Sequence, residues 1–142
     1  LSADLVETRV MGIDFGEKRI GISLSDPTKT FAYSFNTFNN DENFIDNLLN
    51  LVQEKNVIKI ILGLPSSEFK SSKILAEKVK KLKYQLEVAL KIEIIFWDED
   101  YSSVIAKGKI LESVSKKSKR KNKGIIDSYS AAVILQEYLD SI

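Results

Sequence analysis

Two short apolar runs in this chain end in acid, and that constrains the fold more than any other feature. Val10-Met11-Gly12-Ile13 is closed by Asp14, and Ile92-Glu93-Ile94-Ile95-Phe96-Trp97 is closed by Asp98-Glu99-Asp100. Apolar runs of this length, rich in β-branched and aromatic residues, read as buried strands. A carboxylate gains nothing from a core, because an unpaired buried charge is costly. Both strands must therefore deliver their acids to an edge where negative charge is wanted, and a divalent metal ion is the leading candidate for what wants it.

The rest of the chain supplies the other pieces of such a sheet. Arg9 to Asp14 is a first strand. Arg19 to Ser25 is a second, in which Ile20, Ile22 and Leu24 alternate with Gly21 and Ser23, and Phe15-Gly16-Glu17-Lys18 forms the turn between them. Thr30 to Phe38 has the aromatic and β-branched content of a third strand, with imperfect alternation. Asp41 is placed to cap a helix running to about Lys55, whose Phe44, Ile45, Leu48, Leu49 and Val52 share a face. Lys59 to Leu64, ended by Gly63-Leu64-Pro65, reads as a buried parallel strand. A crossover helix follows, capped by Ser71 or Ser72 and striped by Ile74, Leu75, Val79, Leu82 and Leu86 up to about Ala89. Glu93 to Trp97 is the fifth strand. Helices are expected from about Ser102 to Glu112 and from about Ile125 to Leu139.

A three-strand meander followed by alternating helices and strands indicates an α/β fold. The expected architecture is a five-stranded mixed sheet, three antiparallel strands then parallel ones, flanked by helices. With the first, fourth and fifth strands parallel and adjacent, Asp14, Pro65 and Glu99 emerge at their carboxyl ends. That is the edge where open α/β sheets place ligands.

Composition limits the chemistry available there. The 142 residues, 44% hydrophobic, fit one domain spanning 1–142, with residues 1–8 as an N-terminal extension. Apolar stretches are short and broken by charge, so no membrane span is expected, nor a signal segment, and a cytoplasmic location follows as the default. The chain has neither cysteine nor histidine, which removes thiolate and imidazole ligands, the Ser-His-Asp triad and a histidine base. A metal held by the remaining oxygen donors would be hard, Mg2+ or Mn2+.

A net charge of +1 hides a local excess. Between Lys107 and Lys123 the basic residues Lys107, Lys109, Lys116, Lys117, Lys119, Arg120, Lys121 and Lys123 face a single acid, Glu112. Residues 113–123 read either as a solvated, flexible linker or as a phosphate-contacting segment.

Each acid has an ordinary explanation when taken singly. Asp14, two residues before Gly16, fits turn chemistry. Asp98-Glu99-Asp100 fits a solvated loop, with Asp100 as a helix cap, and Asp127 sits in a first helical turn where an acid suits the helix dipole. Together they say more. Ser128, Ser130, Ala131 and Ala132 make the last helix narrow enough to pack close to the sheet, bringing Asp127 toward the strand ends. Three converging carboxylates would be neutralised by two metal ions able to polarise a phosphodiester and activate water. Lys18 and Arg19, beside Asp14, with the basic stretch, would contact phosphates.

The segment Met11 to Pro27 (Met11-Gly12-Ile13-Asp14-Phe15-Gly16-Glu17-Lys18-Arg19 at its start) resembles the opening of the YqgF family, pre-16S rRNA nucleases also described as Holliday-junction-resolvase-like. Gly63-Leu64-Pro65 is similar to that family's second motif. Asp98-Glu99-Asp100-Tyr101-Ser102-Ser103 approximates the third, and Ile126 to Gln136 the fourth. The resemblance runs in order from about Arg9 to Asp140. It implies an RNase H-like fold and a metal-dependent nuclease acting in maturation of the 5′ end of 16S rRNA, with Asp14, Glu99 and Asp127 as catalytic, metal-holding acids. The chain departs from the family at Asp100, where arginine is usual. That exchange removes a cation and adds an anion able to raise a neighbouring pKa or serve as an extra ligand.

The expected activity is a metal-dependent endonuclease acting on RNA. Two alternatives remain: a resolvase of four-way DNA, which needs two active sites and hence a homodimer, and a catalytically silent nucleic-acid-binding factor. A phosphotransferase of the actin and sugar-kinase type shares the Asp-x-Gly turn, but it needs two domains closing on a nucleotide.

Overall fold

The computed structural model describes residues 7–65, 70–98 and 123–142. Its strands are β1 (Arg9–Phe15), β2 (Arg19–Ser25), β3 (Ala32–Asn39), β4 (Val57–Leu64) and β5 (Glu93–Asp98). Its helices are α1 (Phe44–Glu54), α2 (Lys70–Ala89) and α3 (Lys123–Ser141). The strands form a five-stranded sheet in the order β3-β2-β1-β4-β5. The β1–β2 and β2–β3 pairs are antiparallel, and β1–β4 and β4–β5 are parallel. The first, fourth and fifth strands are thus parallel neighbours, as the apolar runs indicated. The expected helix from 102 to 112, Glu99, Asp100 and the basic residues Lys116, Lys117, Lys119, Arg120 and Lys121 lie outside the described residues.

Helices cover both faces of the sheet. On one face Met11, Ile13, Ile20, Ile22 and Leu24 pack with Phe44, Leu48, Leu51 and Val52 of α1 and Val79, Leu82 and Leu86 of α2. On the other, Val10 and Ile61 pack with Ile134, Leu135, Tyr138 and Leu139 of α3. The period-2 alternation of β1 and β2 sorts these residues between the two cores.

Local differences from the sequence reading have physical causes. Helix α1 begins at Phe44 with Asn43 as its N-cap, not at Asp41. Asp41 instead builds the preceding turn, its Oδ1 accepting the Asn43 N–H and its carbonyl the Phe44 N–H. On α2, Ile74 is half exposed and the core contact passes to Val79, Leu82 and Leu86. The imperfect alternation of β3 is a register shift opposite Ile22 and Ser23, where Ile22 pairs with Asn36 and Ser23 with Ser34, leaving Phe35 between them.

Side-chain bonds anchor the second half of α3 at both sides of the sheet. Gln136 accepts the Ala32 N–H at 2.8 Å and donates to the Thr30 carbonyl at 3.0 Å. Trp97 Nε1 donates to Glu137 at 3.1 Å, and its ring meets that of Tyr138 edge-on. Lys59 donates to the Tyr138 hydroxyl at 2.8 Å and pairs with Glu93 at 3.1 Å. The bond to Tyr138, then that to Glu93, pushes the Lys59 ammonium above its ordinary pKa.

Candidate functional site

The carboxyl end of β1 is where α3 approaches the sheet most closely. Strand β1 runs one residue past Asp14, so that Asp14 sits within the ladder, half-buried and paired directly with Gly21 of β2. Gly21 has no side chain because the backbone of Asp127 occupies the space. A β-carbon there would collide with the Asp127 carbonyl and come within 2.8 Å of the Ser128 nitrogen. Gly12, two residues before Asp14, is equally closed: its β-carbon would lie 2.8 Å from the Ala131 carbonyl oxygen and 2.9 Å from Leu135 Cβ. Directly paired antiparallel residues carry their β-carbons on one face about 5 Å apart. Asp14 and Asp127 therefore share the α3 face at the same end of the sheet.

The small residues of α3 make this approach possible. Ser128, Ser130 and Ala131 are buried. Ser23 Oγ donates to the Ala131 carbonyl at 2.8 Å, tying β2 to the helix between the two glycines. Ser128 Oγ returns to its own helix, donating to the Ile125 carbonyl. The narrow-helix reading of Ser128, Ser130 and Ala131 thus has its partner on the strands, in Gly12, Gly21 and Ser23.

Arg19 was expected to contact phosphate. In the structure its Nε lies 2.9 Å from Asp127 Oδ2, with both side chains about one-third exposed. By strand alternation Arg19 stands on the same face as Gly21 and Ser23, which brings it to the helix. Nothing in the sequence links positions 108 residues apart, so this pairing could not be read from it. Lys18 is exposed on the turn beside Asp14, and Lys123 opens α3.

Strand β5 ends at Asp98, which is exposed and paired with Leu64 at the same carboxyl edge. Glu99 follows it in the chain, outside the described residues. Among the described residues no group of three acids is placed to hold a metal ion. The described part of the site is the pair Asp14 and Asp127, with Arg19 on the latter.

The RuvX family, described as Holliday junction resolvase, matches residues 8–141. A protein of Caldanaerobacter subterraneus subsp. tengcongensis named "Putative pre-16S rRNA nuclease" is 35% identical over 94% of this chain and 96% of its own length. A protein of Syntrophus aciditrophicus with the same name is 38% identical over 94% of this chain and 89% of its own. Among solved structures, T. thermophilus RuvC in complex with a Holliday junction substrate superposes with a TM-score of 0.60 at 14% identity, covering 94% of each chain. That likeness carries the fold, which is RNase H-like. Matched along nearly its whole length, the chain belongs to the RuvX family of Holliday junction resolvases, a family of nucleases.

Proposed function

We propose that the protein is a metal-dependent endonuclease that cuts precursor 16S rRNA near its 5′ end, with Asp14, Glu99 and Asp127 as its metal-holding acids. The observation that carries this reading is the convergence of Asp14 and Asp127 through the missing side chain of Gly21. With no side chain on Gly21, the two acids stand on one face at one end of the sheet, the placement a divalent cation would use. The relatives named "Putative pre-16S rRNA nuclease" supply the substrate. An rRNA precursor as substrate goes with a cytoplasmic setting.

The donor set fits Mg2+ or Mn2+. In a chain without histidine or cysteine the only strong ligands are oxygens. Asp14 and Asp127 supply two carboxylates on one face, and Glu99 is the residue that follows β5 in the chain. A bound metal would supply Lewis-acid polarisation of the phosphodiester and a more acidic water.

The chain's own residues do the rest. Arg19 fixes the orientation of Asp127 through Nε–Oδ2, and its remaining guanidinium N–H groups are donors that a phosphate oxygen could use. Lys18 and the stretch Lys116, Lys117, Lys119, Arg120, Lys121 and Lys123 add phosphate contacts that hold the strand over the acids.

The test is incubation with manganese, and separately magnesium, and an end-labelled RNA spanning the 5′ end of precursor 16S rRNA, with Asp14→Asn alongside. Discrete cuts are expected. In the variant they should fall by more than about a hundredfold, the upper range for mere outer-shell partners of a metal, with melting temperature retained. Equal cleavage by Asp14→Asn would remove the assignment.

The family description favours a second substrate, four-way DNA. That reading requires a homodimer presenting two sites to symmetric strands, so a monomer by sedimentation that still cuts RNA would exclude it.

A further inference from the structure

A groove of about 570 Å³ runs between β3 and the first turns of α3, and Arg19 is part of its lining. Its wall is unlike a phosphate track. Besides Arg19, its lining among the described residues includes Thr37, Asn39, Ser128, Phe35 and Tyr129 and no carboxylate. Tyr129 is 41% exposed and so is not consumed by the core, whereas the Phe35 ring is met by Lys55 Nζ at 5.3 Å from its centroid. The register shift in β3 leaves Phe35 out of the regular ladder with β2.

These features point to one kind of occupant. A single cation can meet a single phosphate, and Arg19 stands beside Asp127, which it holds at 2.9 Å. Beyond it, neutral amides and hydroxyls match the edges of a nucleobase and the hydroxyls of a sugar. An exposed tyrosine offers a stacking face to any base. The volume lies within the roughly 300–1,000 Å³ typical of small-ligand sites, which suits a nucleotide or two. Stacking and edge contacts both require the base to be unpaired.

We infer that this groove holds an unpaired nucleotide next to the phosphate that is cut, with Tyr129 stacking on its base and Asn39 meeting its polar edge. The inference rests on the nuclease reading above and adds to it the strand state of the substrate: single-stranded, or extruded from a helix, on the α3–β3 side of the site.

The test is fluorescence anisotropy in EDTA, where no metal supports cutting, with a labelled single-stranded ten-nucleotide RNA, its DNA counterpart and a duplex of the same sequence. Tyr129→Ala should weaken binding of the single strand about tenfold. It should leave the salt dependence unchanged, because no phosphate contact is lost. Tyr129→Phe should restore affinity, and duplex binding should not respond. Tyr84→Ala, which removes a still more exposed tyrosine on α2, is the control and should change nothing. Equal affinity of wild type and Tyr129→Ala, an equal loss on duplex, or the same loss in Tyr84→Ala each overturns the groove. If that happens while the wild type still cuts RNA and Asp14→Asn does not, the groove alone falls. If the wild type neither binds nor cuts, both readings fall. Comparison of the RNA and DNA strands identifies which sugar the groove takes.

Discussion

The two faces of the sheet are packed by different means. Toward α1 and α2 the strands present Met11, Ile13, Ile20, Ile22 and Leu24, large side chains that fill a conventional helix-to-sheet gap. Toward α3, between Asp14 and the anchored end of the helix, they present Gly12, Gly21 and Ser23, and the gap is closed by backbone against backbone. The first face stores stability in apolar volume. The second gives up that volume to bring a helix-borne carboxylate beside a strand-borne one. A closely packed helix is thus how this fold brings the acids of the candidate site, separated by more than a hundred positions in the chain, to one end of the sheet.

Substitutions on the two faces should therefore separate stability from activity. The largest loss of stability is expected for Ile22→Ala, about 3 kcal/mol by urea unfolding, because a fully buried side chain leaves a cavity. Cleavage per folded molecule should persist, and a proportional loss of both would show that the faces are not independent. Gly21→Ala should cost about 2 kcal/mol, as overpacking does, yet reduce cleavage far more than Ile22→Ala, because the collision displaces Asp127 itself. Retained activity in Gly21→Ala would break the comparison. Ser23→Ala should cost about 1 kcal/mol for its buried bond to the Ala131 carbonyl, with a small drop in cleavage.

The smallest effect concerns an acid at the opposite end of the sheet, where β2 turns into β3. Asp26 accepts the Thr28 hydroxyl and the N–H groups of Phe31 and Thr30, and these bonds lower its carboxyl from 3.8 to about 2. Because the folded value is depressed, the stability it contributes is complete above pH 3.8 and is lost as pH falls through about 2. Asp26→Asn should flatten the pH dependence of unfolding across that window, and a carboxyl titration by NMR should give a midpoint near 2. The carboxylate at this end organises a turn by local bonds, whereas Asp14 and Asp127 reach their end through tertiary packing.

The elements legible in the sequence were those set by local periodicity. Alternation of Ile20, Ile22 and Leu24 against Gly21 and Ser23 fixed β2 to the residue, and the uniform run before Gly63 marked β4 as a buried parallel strand. Starts and stops were less so. Asp41 looks like a cap from its position, but its bonds form a turn before Asn43, a choice that depends on how the chain leaves β3. At the candidate site, Asp14 is legible as the acid that closes an apolar strand and Asp127 as an acid beside small helix residues. Their closeness depends on Gly21 facing the Asp127 carbonyl, a fit between distant segments that no local pattern encodes. The Arg19–Asp127 pair was missed for the same reason, although alternation already put Arg19 on the face of Gly21.

Gln136 has an effect beyond fastening α3. The Asp26 N–H bonds to the Phe31 carbonyl, so the Thr30 carbonyl and Ala32 N–H point the other way, off the open margin of the sheet. The Gln136 amide meets both, donating to one and accepting from the other, as the N–H and carbonyl of one residue in a neighbouring parallel strand would. A side chain thus fills the first rung where another molecule's strand could attach, and the shifted register at Phe35 spoils the next. The margin of the sheet is stopped from within the chain, leaving a cell crowded with this protein less exposed to strand-by-strand aggregation.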